Sequence, residues 1–439
     1  MTTSSPDLER WTYVERSPKS RELYEEGRRY LPAGVTRGDA WNPYPLYWER
    51  GRGYRIWDVD GIERLDFFGN NSALPLGHAD SAVVRALKNQ IDKGVSFNAP
   101  HETHVKLSKI LCERIASVEM VRFTNSGTEA TMNCVHAARA FAGRSKIAKV
   151  EGAYHGLYDT VGFTGGGDNP RRPTTVPLLP GAPEAMRDEM VIIPFNDPEA
   201  AREIILENRN ELAAVVVEPM MGGAGFIQAE QDFLQAVREI TSQEDIVLIF
   251  DEVCSLRASP GAGQGLFGVY PDLTAFGKSV GGGAAIGAFG GRRDIMELFG
   301  TSPGEQAVGH AGSFNGNPLS MVSGIATFEQ LTPAVYERLD ELTKRLREGI
   351  RAVCAEFDVP VQVTGLGSLF GVHFNENPIR NYRDTRSSDS GRTQQVMYGL
   401  LNEGVWPSRS LIGAVSTPMG VAQIDAYVDG LRTVLARNR

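Results

Sequence analysis

The sequence predicts an α/β protein, with a sheet and crossover helices between about residues 121 and 300 and a smaller α+β unit beside it. Three observations carry this expectation. Short apolar runs recur at 121–124, 147–150, 191–193, 213–217, 246–250 and 286–289. Several, such as Ala213-Ala214-Val215-Val216-Val217 and Ile246-Val247-Leu248-Ile249-Phe250, are near-continuous, as strands are when both sheet faces are covered. Helical stretches such as 233–241 lie between them.

The elements follow in order. A polar start leads to a charged helical stretch from Arg21 to Tyr30, which Leu31-Pro32-Ala33-Gly34 stops. Residues 47–68 read as a β-meander turning at Asp58-Val59-Asp60-Gly61. That turn lacks most ligands of a calcium loop, so it reads as a hairpin. Helical spacing governs 79–117, through Val83, Val84, Leu87 and Ile91, then Leu107, Ile110, Leu111 and Ile115. His101-Glu102-Thr103-His104 has one residue too few for both rings to share a helix face, and no metal site is expected. Gly165-Gly166-Gly167-Asp168-Asn169-Pro170 reads as a surface loop. Gly263-x-Gly265-x-x-Gly268 has dinucleotide-loop spacing but follows Ser259-Pro260-Gly261 instead of a strand, so it too reads as a loop. Beyond about 318 come a helix, a long charged helix over 334–357, short strands at 361–363 and 371–374, a polar insertion at 380–392, a strand at 412–416 and a closing helix over 423–437. Neither the meander nor this last part has a full core alone. The expected division is a small domain from 1–70 and 326–439 around a large domain, 71–325.

Composition excludes several functions. The chain has 439 residues and a formal charge of -9 with no basic tract, against nucleic acid or an anionic membrane. No apolar run reaches the roughly 18 residues of a membrane span, and the polar N-terminus has no signal-peptide core. Cys112, Cys134, Cys254 and Cys354 are far apart and read as reduced thiols of a cytoplasmic protein.

Chemistry concentrates at the C-terminal ends of expected strands, where ligands sit in open α/β sheets. Lys278 ends an apolar stretch and precedes Gly281-Gly282-Gly283; burial there lowers a lysine's pKa and makes it a nucleophile toward carbonyls. Asp251 is delivered by five apolar residues to a buried strand end, where its carboxylate needs a partner: a pyridinium nitrogen, or a structural cation. Ser126-Gly127-Thr128 opens a helix and suits either a phosphate or a plain N-cap. Phosphate donor, carboxylate and lysine in this order are the parts that hold pyridoxal 5'-phosphate. Lys278 is then the Schiff-base lysine, Asp251 keeps the ring nitrogen protonated, Tyr154 stacks on the ring and Glu218 bonds its phenolic edge.

Together these motifs resemble the class III, or ω-, aminotransferases of fold type I. The resemblance covers nearly the whole chain from about Leu31. It rests on Asn125-Ser126-Gly127-Thr128-Glu129-Ala130, Tyr154-His155-Gly156, Glu218-Pro219, Asp251-Glu252-Val253, Gly277-Lys278 and Gly312-Ser313-Phe314-Asn315-Gly316-Asn317-Pro318. Within the class it is most similar to the branch holding glutamate-1-semialdehyde aminomutase and β-phenylalanine aminotransferase. The resemblance implies a large domain with a mostly parallel seven-stranded sheet and a smaller domain from both termini. It also implies a homodimer in which Ser313 donates its hydroxyl to the neighbouring subunit's phosphate, His155 near the cofactor, and Val253 against the ring.

The implied reaction is ping-pong transfer of an amino group from a carboxylate-bearing, β- or otherwise non-standard amino acid to a keto acid such as 2-oxoglutarate or pyruvate. Lys278 is its proton carrier and Asp251 its second catalytic residue. Arginine suits the carboxylate because it grips bidentately. Arg37 and Arg409 match the β-amino-acid branch, and Arg257 is a third candidate. Trp41, Tyr44 and Phe68 fit either an aromatic pocket or simple packing. The alternative is a 2,1-aminomutase, and a non-catalytic cofactor-binding protein is a remote one. The aminomutase's Ser-x-Phe-Glu tail is replaced here by Ser408-Arg409-Ser410-Leu411, which weighs against it.

Overall fold

The computed structural model describes residues 5–37, 43–300 and 308–438. The N-terminal meander is β1 (Trp48–Arg52), β2 (Arg55–Asp58) and β3 (Glu63–Asp66), antiparallel in that order. Asp58 fixes its turn. Oδ1 accepts from the Asp60 and Ile62 amides at 3.1 and 2.8 Å, and Oδ2 pairs with buried Arg64 at 2.5 Å.

The alternating region follows as β4 (Met120–Thr124), β5 (Lys146–Val150), the hairpin β6 (Phe163–Gly166) and β7 (Thr174–Pro177), β8 (Met190–Ile193) and β9 (Leu212–Val217). Then come the short hairpin β10 (Met220–Met221) and β11 (Ile227–Gln228), β12 (Val247–Asp251), β13 (Leu273–Gly277) and β14 (Gly287–Gly291). Seven of these form one sheet in the order β4-β14-β13-β12-β9-β5-β8. Only β14 runs against its neighbours. Both faces are covered, which is why most strand residues are apolar. Val216 and Ile249 pack with Ala130, Cys134 and Ala138 of the Gly127–Ala142 helix. Val215 and Leu248 face Ile205 and Phe233 from the helices Pro198–Asn208 and Gln231–Gln243.

β14 is glycine-rich because it is crowded. A Cβ on Gly287 would stand 2.0 Å from the Ser126 carbonyl oxygen, so glycine lets the 125–127 loop lie directly on the sheet.

Two expected loops are ordered elements instead. Gly165 and Gly166 belong to the β6–β7 hairpin. Residues 262–267 form a short helix, Ala262–Phe267, because the buried Glu252 carboxylate accepts the Gly263 and Gln264 amides at 2.8 Å each. The polar start also contains a helix, Ser5–Glu15, whose Tyr13 is buried and donates to the Tyr44 carbonyl at 2.6 Å. His101 caps the Glu102–Arg114 helix with its ring.

After the helices Pro318–Gln330 and Pro333–Glu356 come β15 (Gln362–Thr364), β16 (Leu369–His373), β17 (Val405–Trp406), β18 (Ile412–Ala414) and the helix Val421–Arg437. β15, β16 and β18 form a small sheet, and β17 pairs in parallel with β3. The two ends of the chain therefore share one core. Phe67, Phe370 and Tyr427 meet there edge to face at 5.0–6.3 Å.

Candidate active site

Parallel strands bring their C-terminal ends to one edge of the sheet. Phe250 of β12 pairs with Val217 of β9, and Asp251 pairs with Ala275 of β13. Asp251, Glu218 and Lys278 are thus side by side. They line a cavity of about 740 Å³ with Gly127, Thr128, Tyr154 and Val253.

Asp251 is held on both oxygens. Oδ1 accepts the Val253 amide at 3.0 Å, and Oδ2 lies 2.9 Å from His155 Nδ1. His155 is itself buried; its backbone carbonyl accepts the Thr131 hydroxyl at 2.6 Å, tying this loop to the Gly127–Ala142 helix. Burial, against the pull of Asp251, pushes the His155 pKa down. Glu218 accepts the Tyr154 and Gly222 amides at 2.9 and 2.8 Å. Burial first, then neighbouring Asp251, pushes its pKa up to about 8.

Lys278 has a left-handed backbone, φ +49°, and its Nζ lies 2.6 Å from Cys254 Sγ. Burial pulls its pKa down, but Cys254, Asp251 and Glu218 outweigh it and the net direction is up. The adjacent Cys254 sulfur comes first among the groups that hold the Lys278 proton, with Asp251 and Glu218 behind it. The expected lowering of the lysine is corrected on this point: burial does not act alone here. A second buried lysine, Lys149 of β5, is 1% exposed and donates to the Val161 carbonyl at 3.3 Å. Burial pulls it down to about 8 against Glu218 and Asp251.

The remaining positions separate. The Ser126 hydroxyl is taken up as the N-cap, accepting the Glu129 amide at 3.2 Å, while Gly127 and Thr128 face the cavity. Tyr154 is half exposed. Ser313 is exposed and lines a different cavity with Phe97 and Phe314, so the single chain does not bring it to Lys278. Arg37 lines the Lys278 cavity and also a second one of about 610 Å³. Arg409 lines the second cavity only. Arg257 is not a carboxylate site. It is 2% exposed and its guanidinium is used internally, donating to Ser72 O, Val415 O and Ser368 Oγ at 2.8, 2.6 and 3.1 Å.

The second cavity has a mixed lining that includes the aromatic rings of Trp48, Phe68 and Trp406. Of the aromatic candidates, Phe68 lies there, Tyr44 is core, and Trp41 is outside the described residues. Trp48 and Trp406 carry no local sequence signal; the pairing of β3 with β17 brings them together. Cys254 could have been read from its place directly after Asp251-Glu252-Val253.

The donor set fits pyridoxal phosphate: a fixed carboxylate for a ring nitrogen, a helix N-terminus for a phosphate and an amine for a carbonyl. The floor is also flat enough. A Cβ on Gly127 would come within 2.9 Å of Val253, so the two pack without a side chain between them. Among the described residues no group of His, Cys, Asp or Glu is placed to hold a metal ion, and no helix is long and apolar enough to cross a membrane.

Comparison with known proteins agrees. Residues 38–418 match the family model "Aminotransferase class-III". A glutamate-1-semialdehyde 2,1-aminomutase of Methanocaldococcus jannaschii is 40% identical over 88% of this chain and 90% of its own. The crystal structure of an ω-transaminase from Sphaerobacter thermophilus is 43% identical, with a TM-score of 0.94 over 97% of this chain and 99% of that one. A β-phenylalanine aminotransferase from Variovorax paradoxus is 34% identical, with a TM-score of 0.89 over 98% and 97%. With this lysine, these carboxylates and this sheet, the chain belongs to the class III aminotransferases, pyridoxal-phosphate-dependent enzymes of fold type I.

Proposed function

We propose that this enzyme is an aminotransferase for a carboxylate-bearing amine with an apolar, aromatic-sized substituent, a β-amino acid of the β-phenylalanine kind. The acceptor is a keto acid such as 2-oxoglutarate or pyruvate. One observation carries the reading. The Lys278 cavity shares Arg37, Asn71 and Ile412 with the lining of a second cavity, which also includes Trp48, Phe68, Trp406 and Arg409. A substrate there has an apolar wall for its ring and a guanidinium for its carboxylate.

Bound pyridoxal phosphate supplies an electron sink for the carbon next to the amine. The chain's residues do the rest. Asp251, braced by His155 and the Val253 amide, would accept a hydrogen bond from the ring nitrogen. Lys278 Nζ would be the nucleophile toward the cofactor's carbonyl. The same amine would then be the base that carries the proton from the substrate carbon. Gly127 and Thr128, at the start of a 16-residue helix, would hold the phosphate. Glu218, held by two amides, would bond the ring's phenolic edge. The functional unit is a homodimer. Exposed Phe97 and Phe314 surround the cavity of Ser313, an apolar rim that a second copy would cover while placing the hydroxyl at its own site.

A second reading, a 2,1-aminomutase acting within one molecule, is favoured by the comparisons: curated relatives at 37–40% identity carry the name glutamate-1-semialdehyde 2,1-aminomutase. The Trp48, Phe68 and Trp406 rings of the second cavity suit a β-aryl substrate better. Mixing the holoenzyme with α- and β-amino acids, without any keto acid, separates the two. Bleaching of the yellow cofactor band by a β-aromatic donor supports the aminotransferase. Bleaching only by an amino-aldehyde or diamino compound would overturn it in favour of the aminomutase.

A further inference from the structure

We propose that Asn70 is a positioning residue for Arg37, set in place by a left-handed turn that Arg257 anchors. The inference rests on the reading of Arg37 as a carboxylate-binding residue. Four consecutive residues, Gly69, Asn70, Asn71 and Ser72, have positive φ, at 54, 52, 56 and 65°. Left-handed backbone is unfavourable for L-residues and normally occurs singly, so a run of four persists only where its surroundings over-determine it.

The surroundings here do so from both ends. At the start, Asp66 Oδ1 accepts the Phe68 and Gly69 amides at 2.9 Å each. Asp66 Oδ2 is in turn held by His78 Nε2 at 2.6 Å. At the end, buried Arg257 donates to the Ser72 carbonyl at 2.8 Å, and its other bonds to Val415 and Ser368 fix the guanidinium. Inside the turn, the Ser72 amide reaches Phe68 O at 2.9 Å. A charged residue withdrawn from water to hold two carbonyls and a hydroxyl is a costly device, and the turn that it closes carries Asn70 and Asn71 into the cavity linings.

The turn sends Asn70 Oδ1 to Arg37 Nη1, 2.7 Å away, and puts Asn71 on the wall common to both cavities. Arg37 is exposed and would otherwise sample many rotamers. A neutral amide oxygen fixes one end of its fork without cancelling its charge, whereas a carboxylate at the same place would compete with the substrate. Asn70 is thus a residue through which the fold sets specificity for carboxylate-bearing substrates, by holding Arg37 ready.

The test is calorimetric binding of 3-phenylpropanoate and of its uncharged amide, 3-phenylpropanamide, to the holoenzyme and to three variants. Asn70→Gly keeps the left-handed turn and removes the amide. Asn70→Asp keeps the shape and adds a charge. Arg37→Gln removes the guanidinium. The preference for carboxylate over amide should fall roughly three- to tenfold in Asn70→Gly, the range expected for losing a pre-ordered side chain, and further in Asn70→Asp. An unchanged preference in Asn70→Gly, or an equal loss for both ligands, overturns the positioning role. If Arg37→Gln leaves the preference intact, or the wild type shows none, then the Arg37 reading fails and the inference with it. If Arg37→Gln abolishes the preference while Asn70→Gly keeps it, only the inference falls.

Discussion

Lys149 provides the sharpest energetic test of the buried charges in this site. In the unfolded chain it keeps its proton to the ordinary value of 10.5; in the fold it does so only to about 8. Between those values the unfolded state binds more protons, so stability rises with pH across the window. Below about pH 8 the full penalty applies, and a shift of this size corresponds to about 3 kcal/mol. Lys149→Met removes that penalty and also the single bond to Val161, worth about 1 kcal/mol. The variant should therefore be about 2 kcal/mol more stable than the wild type at neutral pH. Above the ordinary lysine value the wild-type amine is neutral in both states, and the gain should turn into a deficit of about 1 kcal/mol from the lost bond. Urea unfolding of the cofactor-free proteins across this pH range measures the difference directly. A variant less stable at neutral pH, or a difference that does not change with pH, would refute the reasoning. Either result would mean that Lys149 is a well-paired cation with no net burial penalty.

Other perturbations report on separate parts of the account. Arg257→Met leaves the Ser72, Val415 and Ser368 acceptors without their donor, and should cost about 3 kcal/mol or more in thermal or urea unfolding. An unaffected unfolding midpoint with weakened substrate binding would return Arg257 to the substrate site. In Gly127→Ala the added methyl meets Val253 at 2.9 Å and presses it toward the cofactor cavity. Pyridoxal phosphate should bind roughly tenfold more weakly, read from titration of the yellow band, since overpacking of this kind costs about 1–3 kcal/mol. An unchanged affinity would show that Val253 yields without narrowing the site.

The parts of the site legible in the sequence are those that a local pattern fixes. Asp251 and Glu218 each follow an unbroken apolar strand, and parallel pairing of β9, β12 and β13 carries them to the same edge as Lys278. The fold class follows from the same runs. What was not legible depends on distant pairing. Trp48 and Trp406 meet only because β17 joins β3. Arg257 was misread because a charge in the sequence does not report its burial, and its three acceptors come from residues 72, 368 and 415. The direction of the Lys278 shift is not legible because burial alone leaves out Cys254 first, and then the two carboxylates beside it. The 262–267 helix was missed because its amides are satisfied by a side chain, Glu252, from outside the helix.

The central claim is that Lys278 holds the cofactor at the edge where Asp251 and Glu218 converge. Borohydride reduction of the holoenzyme fixes the cofactor to the nitrogen that carries it, and peptide mass spectrometry identifies that nitrogen. The added pyridoxyl mass is expected on the peptide containing Lys278, and is expected to be lost in Lys278→Ala. The same mass on another lysine, Lys149 included, or a labelled Lys278→Ala protein, would contradict the assignment of the active site.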